Sequence, residues 1–227
     1  MKISEIFHSI QGEGMLVGVP SVFVRTSGCN LRCTWCDTPY TSWSPEGTEL
    51  TLFEILDQVK KHGARHVVLT GGEPMIAPEI VRLAALLKAQ GAHITIETAG
   101  TLFAPVMCDL MSISPKLANS TPLDREGGRW AAQHDRLRYQ PDVLRRLITT
   151  YPYQLKFVVS GGDDLIELRG VVCDLGADSD RVLLMPEGTD AETLRRRSLY
   201  LVEICKREGF RFSPRLHIDL WGNRRGI

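Results

Sequence analysis

Six short apolar runs separated by stretches of helical period constrain this chain more than any other feature of its sequence. Residues 22–26, 66–70, 93–97, 110–114, 154–159 and 181–185 read as buried strands. Between several of them, residues 51–62, 78–90, 163–175 and 190–208 repeat apolar residues as helices do. The first helix opens on a Thr51/Glu54 capping box and closes at Gly63; the second has Pro78 near its start and Gly91 after its end. Strand, helix, strand repeated in this way implies a parallel sheet with right-handed crossovers. The fold class expected is α/β, an incomplete (partial) TIM-like barrel of about six parallel strands with outer helices. Residues 117–140 break the rhythm: they are polar, with little periodicity, and read as an insertion or loop segment.

An apolar share of 43% and a charged share of 24% in 227 residues describe one globular domain, 1–227, able to bury a full core. The 27 basic and 27 acidic residues balance, so no net field draws the chain to nucleic acid. No run of ~18 apolar residues is present to cross a membrane. With no apolar leader at the amino terminus, the six cysteines are expected in the reducing cytoplasm rather than in disulfides. The partner expected is a small molecule.

Three cysteines crowd one loop, Cys29-Asn30-Leu31-Arg32-Cys33-Thr34-Trp35-Cys36. C-x3-C-x2-C supplies three thiolates to a four-iron (4Fe-4S) cluster and leaves the fourth iron open to a small molecule, where it does chemistry as well as passing electrons. A structural zinc is the competing reading. It needs a fourth ligand, and His8, His62 and His66 stand at no zinc-finger spacing while Cys108 is remote. The loop is similar to that of the radical S-adenosylmethionine (SAM) superfamily, in which SAM chelates the open iron and an aromatic residue, here Trp35, precedes the third cysteine. Cys108, Cys173 and Cys205 are expected to be ordinary buried thiols.

Ligands of parallel α/β folds lie at the carboxyl ends of the strands. Those ends carry Arg25 and the cysteine loop, Thr70-Gly71-Gly72-Glu73-Pro74, Glu97-Thr98, Ser114-Pro115-Lys116 and Met185-Pro186-Glu187-Gly188. Lys156 sits inside the fifth run, where a charge is costly unless it faces a polar cavity. Gly71 and Gly72 allow close backbone approach, and carbonyls there suit an ammonium group. Directly after the strand that follows the cysteine loop, Gly-Gly-Glu-Pro resembles the superfamily's element for the methionyl part of SAM.

The turn Ile10-Gln11-Gly12-Glu13-Gly14, Arg25, Cys36-Asp37-Thr38 and the strand-end motifs together resemble one family over almost the whole chain, 7-carboxy-7-deazaguanine synthase. The resemblance implies that a reduced cluster cleaves SAM to a 5′-deoxyadenosyl radical, which takes hydrogen from C6 of 6-carboxy-5,6,7,8-tetrahydropterin. Ring contraction, return of the hydrogen and loss of ammonia then give 7-carboxy-7-deazaguanine, on the route to queuosine and other 7-deazapurines. It implies pterin contacts at Ile10, Gln11, Gly12, Arg25, Thr70 and His217, with Arg25 forking onto the carboxylate. Contacts to SAM are implied at Trp35, Cys36, Asp37, Gly72, Ser114, Pro115, Lys116, Met185, Pro186, Glu187 and Gly188. The resemblance further implies that Cys29, Cys33 and Cys36 hold the 4Fe-4S cluster and that Thr38 holds Mg2+; a hydroxyl that only caps the next turn is the plainer alternative for Thr38. A flavodoxin- or ferredoxin-like electron donor and a homodimer are expected with it. His217 also fits an edge-strand histidine.

The chain departs from the family where it continues past His217, so no terminal substrate contact is carried over, and where 117–140 varies in length. Two other readings compete: a radical SAM activase that installs a glycyl radical on a partner enzyme, and a non-enzymatic module stapled by metal.

Overall fold

All six apolar runs form strands and all four segments of helical period form helices in the computed structural model, which describes all 227 residues. The strands are β1 (Lys2–Ile10), β2 (Pro20–Thr26), β3 (Thr48–Glu49), β4 (His66–Gly71), β5 (His93–Thr98), β6 (Leu110–Ile113), β7 (Tyr153–Val159), β8 (Val182–Pro186) and β9 (Arg211–Phe212). The helices are α1 (Pro39–Ser42), α2 (Leu52–His62), α3 (Ile80–Ala89), α4 (Ala131–Arg138), α5 (Pro141–Thr150), α6 (Asp164–Leu175), α7 (Ala191–Glu208) and α8 (Leu216–Trp221).

They build one sheet in the order β3-β1-β2-β4-β5-β6-β7-β8-β9. From β2 through β8 every neighbouring pair is parallel and the strands follow chain order. The sheet does not close, so the six expected strands form a partial barrel. An antiparallel β1 extends it at one edge and the two-residue β9 at the other. The sequence reading missed β1 because a register shift between Ile3 and Glu5 breaks the two-residue alternation that marks a strand.

Alternate residues of the parallel strands serve two different faces. Val22 and Val24, Val67 and Leu69, Ile94 and Ile96, Met111 and Ile113, Leu155 and Phe157, and Val182 and Leu184 join one apolar core under the helices. The other face carries Arg25, Thr70, Glu97, Ser112, Lys156 and Met185, and lines a cavity. The helices are held by local chemistry as well as by that core. Thr51 Oγ1 accepts the Glu54 N–H at 3.2 Å, the Glu54 carboxylate accepts the Thr51 N–H at 2.8 Å, and Gly63 ends α2 at φ 69°.

Residues 117–140 hold two short 3-10 turns and then α4, whose one buried side chain is His134. A helix with so little apolar surface has no period to read. His217 lies on α8, so the edge-strand alternative does not apply. Cys205 is buried and Cys108 partly so, but Cys173 is exposed, contrary to the expectation of a buried thiol, because α6 turns Val171 and Leu175 inward instead. No helix is long and apolar enough to cross a membrane.

Ile96 is fully buried in β5. Ile96→Ala is expected to lower unfolding stability by about 2–5 kcal/mol, because it removes core atoms and leaves a void. Phe53→Ala, at a side chain 78% exposed, is expected to change it by no more than about 0.5 kcal/mol. Urea unfolding of both variants measures the contrast.

Candidate active site

A cavity of about 740 Å³ lies inside the sheet at the carboxyl ends of its strands. Cys29, Cys33 and Cys36 all reach it. The loop after β4 is laid against the cysteine loop: the Gly72 N–H bonds to Thr26 O at 3.2 Å and the Glu73 N–H to Gly28 O at 3.0 Å. A Cβ on Gly72 would stand 2.1 Å from Gly28 O, so only glycine permits this approach. Glu73 is fully buried and ties the same loop to the end of β5, accepting from Thr98 Oγ1 and the Ala99 N–H, both at 2.8 Å, and from the Met75 N–H at 3.1 Å. Burial raises its pKa, and those three hydrogen bonds oppose the rise.

The far side of the cysteine loop is held by the 117–140 segment. The Thr34 N–H bonds to Ser120 O at 2.8 Å, and Trp35 Nε1 donates to Asn119 O at 3.1 Å. The Arg32 N–H, between two of the cysteines, donates to His134 Nδ1 at 3.0 Å, while His134 Nε2 lies 2.9 Å from Ser120 Oγ. Ser120 gives its own proton to Leu117 O at 2.6 Å, so it accepts from the ring. His134 is thereby the Nε2–H tautomer, and its burial lowers its pKa to about 4 and keeps it neutral. The sequence offered no signal for this role, since Arg32 and His134 are far apart in the chain.

The donor set fits an iron–sulfur cluster. No three His, Cys, Asp or Glu side chains converge closely enough as placed to hold a single metal ion, whereas a cluster of several irons accepts thiolates set further apart. Burial pushes the Cys29 thiol up to about 12, with Glu73 adding to it, and burial likewise raises Cys33. Thiols in that setting become thiolates only beside strong positive charge, such as several iron ions supply. Thr38 precedes α1, yet its side chain makes no capping bond, and its hydroxyl faces the cavity 3.8 Å from Cys36 Sγ.

Much of the remaining lining is a web of paired polar groups. Gln11 Nε2 and Thr70 Oγ1 donate to the two oxygens of Glu97 at 3.1 and 2.9 Å. Arg25 Nε bonds to Glu5 Oε1 at 2.6 Å, which leaves both of its Nη groups without a protein partner. A Cβ on Gly12 would lie 2.0 Å from His217 Nδ1, so the missing side chain makes room for that ring. Burial lowers the pKa of His217. Lys156 does face the cavity, paired with Glu13. Burial alone would raise the Glu13 carboxyl, but Lys156 and Arg215 together hold it well below the usual carboxylate range.

Of the residues singled out from the sequence, Ile10, Gln11, Gly12, Arg25, Trp35, Asp37, Thr70, Gly72, Ser114, Lys116, Met185, Glu187 and His217 line this one cavity with the cysteines and Thr38. Pro115, Pro186 and Gly188 are buried in its wall and do not line it. Lys116 Nζ is occupied by the Ser114 carbonyl and hydroxyl oxygens, each at 2.7 Å. Sequence reasoning gave no role to Arg215, nor to the tail from Asn223 to Ile227, which also reaches the cavity. Arg225 anchors that tail by pairing with Glu46 at 2.9 Å and stacking over Tyr40.

A model of the radical SAM superfamily matches residues 23–119. A 7-carboxy-7-deazaguanine synthase of Rhodopirellula baltica is 48% identical over 225 residues, covering 99% of this chain and 88% of the relative. One from Halobacterium salinarum is 44% identical, covering 98% and 91%. The crystal structure of QueE from Escherichia coli superposes with a TM-score of 0.70 at 28% identity, covering 95% of this chain and 94% of that one.

His134→Ala removes the acceptor for the part-buried Arg32 N–H and is expected to cost about 1 kcal/mol through the lost hydrogen bond. After anaerobic reconstitution the variant is expected to lose iron to a chelator faster than the wild type. His134→Gln, whose amide oxygen can accept that hydrogen bond, is expected to fall between. Circular dichroism and iron release measured on the same samples separate misfolding from a loosened loop.

Proposed function

The chain belongs to the 7-carboxy-7-deazaguanine synthases of the radical SAM superfamily, and on that premise we propose that its cavity contracts 6-carboxy-5,6,7,8-tetrahydropterin to 7-carboxy-7-deazaguanine with loss of ammonia. The observation that carries the reading is one cavity whose lining holds both three thiols and a set of polar groups, Arg25, Gln11, Thr70 and His217. Cys29, Cys33 and Cys36 hold the 4Fe-4S cluster. Bound there, the cluster and SAM supply a radical that takes a hydrogen atom from carbon.

The chain's own residues bind and orient. Arg25 turns its two free Nη groups to the pterin carboxylate, because Glu5 already holds Nε and so fixes the plane of the fork. Gln11 and Thr70 are aligned by Glu97 and stand against the pterin ring. His217, kept neutral by burial, offers one donor and one acceptor to the same ring. Ser114, Lys116, Trp35, Asp37 and Glu187 surround SAM, with Gly72 giving it backbone access; Pro115, Pro186 and Gly188 shape these loops from behind.

Thr38 is the protein ligand to Mg2+. Its hydroxyl is supported in that role by the absence of any capping bond, and a hard cation that keeps most of its waters needs little else from the protein. A flavodoxin- or ferredoxin-like protein supplies the electron. Similarity to synthases along the whole chain, rather than in the cluster loop alone, favours this reading over a glycyl-radical activase.

Anaerobic incubation of the reduced, reconstituted protein with SAM and 6-carboxytetrahydropterin is expected to yield 7-carboxy-7-deazaguanine; SAM cleavage without that product would overturn the reading. Arg25→Lys is expected to lower turnover by on the order of a hundredfold, since small misplacements of a reacting carbon are that costly, while SAM affinity is unchanged. Equal loss of both would move Arg25 to the SAM half. Thr38→Ala is expected to keep its iron and its SAM binding while its residual rate no longer responds to added Mg2+. An alanine variant that Mg2+ still stimulates as it does the wild type would remove Thr38 as the ligand.

A further inference from the structure

Arg215 commits each of its three guanidinium nitrogens to a different segment of the cavity wall. Nε donates to Glu13 Oε1 at 3.1 Å, Nη1 to the Gly188 carbonyl at 2.6 Å, and Nη2 to the Asp37 carboxylate. Its side chain is only 7% exposed. Glu13 belongs to the turn on the pterin side. Asp37 follows the last cysteine, and Gly188 closes the segment after β8, both on the SAM side.

The chemistry of the group makes this more than a brace. A guanidinium is planar and points its donors in fixed directions, so a shift of one partner reorients the bonds to the other two. It also separates two carboxylates: without it, Glu13 and Asp37 would repel across a poorly hydrated space. The backbone around it is laced to the pterin-side turn. The Leu216 N–H bonds to Gly12 O at 2.9 Å, the Gly14 N–H bonds to Ser213 Oγ at 2.8 Å, and the His217 ring fills the space that a side chain on Gly12 would take. Residues 213–217 are therefore tied to residues 11–14, and Arg215 extends that tie to Asp37 and Gly188.

We propose that Arg215 is a positioning residue that couples the two halves of the cavity, so that filling the pterin half tightens binding of SAM in the other. The proposal rests on the assignment of the two halves given above. The first ligand orders the turn and with it the guanidinium, which leaves Asp37, and through Gly188 the neighbouring Glu187, already placed for the second. The effect is reciprocal, because coupling between two binding equilibria works equally in both directions.

The test is the dissociation constant of SAM for the reconstituted enzyme, cluster oxidised to prevent turnover, measured by anaerobic equilibrium dialysis with and without 6-carboxytetrahydropterin. In the wild type, SAM is expected to bind roughly 5–150-fold tighter with the pterin present, the range usual for coupled sites. Arg215→Lys keeps the charge but reaches fewer partners, and is expected to bring that ratio to about one, the uncoupled value, at unchanged iron content. A purely structural arginine would weaken both ligands and leave the ratio intact. Glu13→Gln, which removes the charge from one arm and leaves Arg215 in place, is expected to lower the ratio as well, and it decides the matter if Arg215→Lys does not fold. A wild-type ratio preserved in a folded variant overturns the proposal. Wild-type enzyme that binds both ligands independently overturns the coupling alone, whereas failure to bind the pterin at all overturns the assignment of the cavity and the coupling with it.

Discussion

Every central strand of this sheet is buried on both faces, and that constraint organises the rest of the molecule. One face meets the helices and is apolar, from Val22 and Val24 at one end to Val182 and Leu184 at the other. The other closes around a cavity instead of a second core, so it can carry Arg25, Thr70, Glu97 and Lys156. Polar groups removed from water must find partners. Here they find one another: Gln11 and Thr70 on Glu97, Glu5 on Arg25, Glu13 on Lys156 and Arg215. The pairing that makes the inner face tolerable also fixes the direction of each group that a ligand would meet.

Around the mouth of the cavity, loops are held by loops. The cysteine loop has no regular structure of its own to fix it. Gly72 and Glu73 press on it from one side, and Ser120, Asn119 and His134 from the other. Three cysteines from one irregular loop all reach the same cavity, an arrangement that a free loop would rarely sample, and these neighbours offset the cost of ordering it. The 117–140 segment, polar and without period, thus has a physical reason to exist beside the cluster loop.

The four charges Asp37, Arg215, Glu13 and Lys156 form an alternating chain along the cavity lining, beginning at the residue after Cys36. Such buried pairs add little net stability compared with apolar packing, but breaking one leaves a charge stranded. Their value lies in specificity of placement. An alternating row tolerates one arrangement of its members and penalises the others, which suits a site that must hold a radical precursor and its target in register.

The strands and helices of the partial barrel were legible because they follow from short-range period: alternate or third-and-fourth residues decide whether a segment can bury a face. So were the cysteine loop, the Gly-Gly-Glu-Pro turn and the improbable Lys156, since each is a local departure from what ordinary packing tolerates. β1, α4 and α5 were not: a bulge disturbs the first, the second has Leu137 as its only large apolar residue, and the third follows directly on the irregular 117–140 segment. What the sequence alone determined is thus the architecture and the chemistry of the donors. Only the tertiary structure decided how those donors are held: His134 meets Arg32 from 102 residues away, and Arg215 meets Glu13 from 202. Hydrogen bonds and ion pairs of that reach leave no periodic trace in the chain, because they depend on the path of the whole fold and not on the residues beside them.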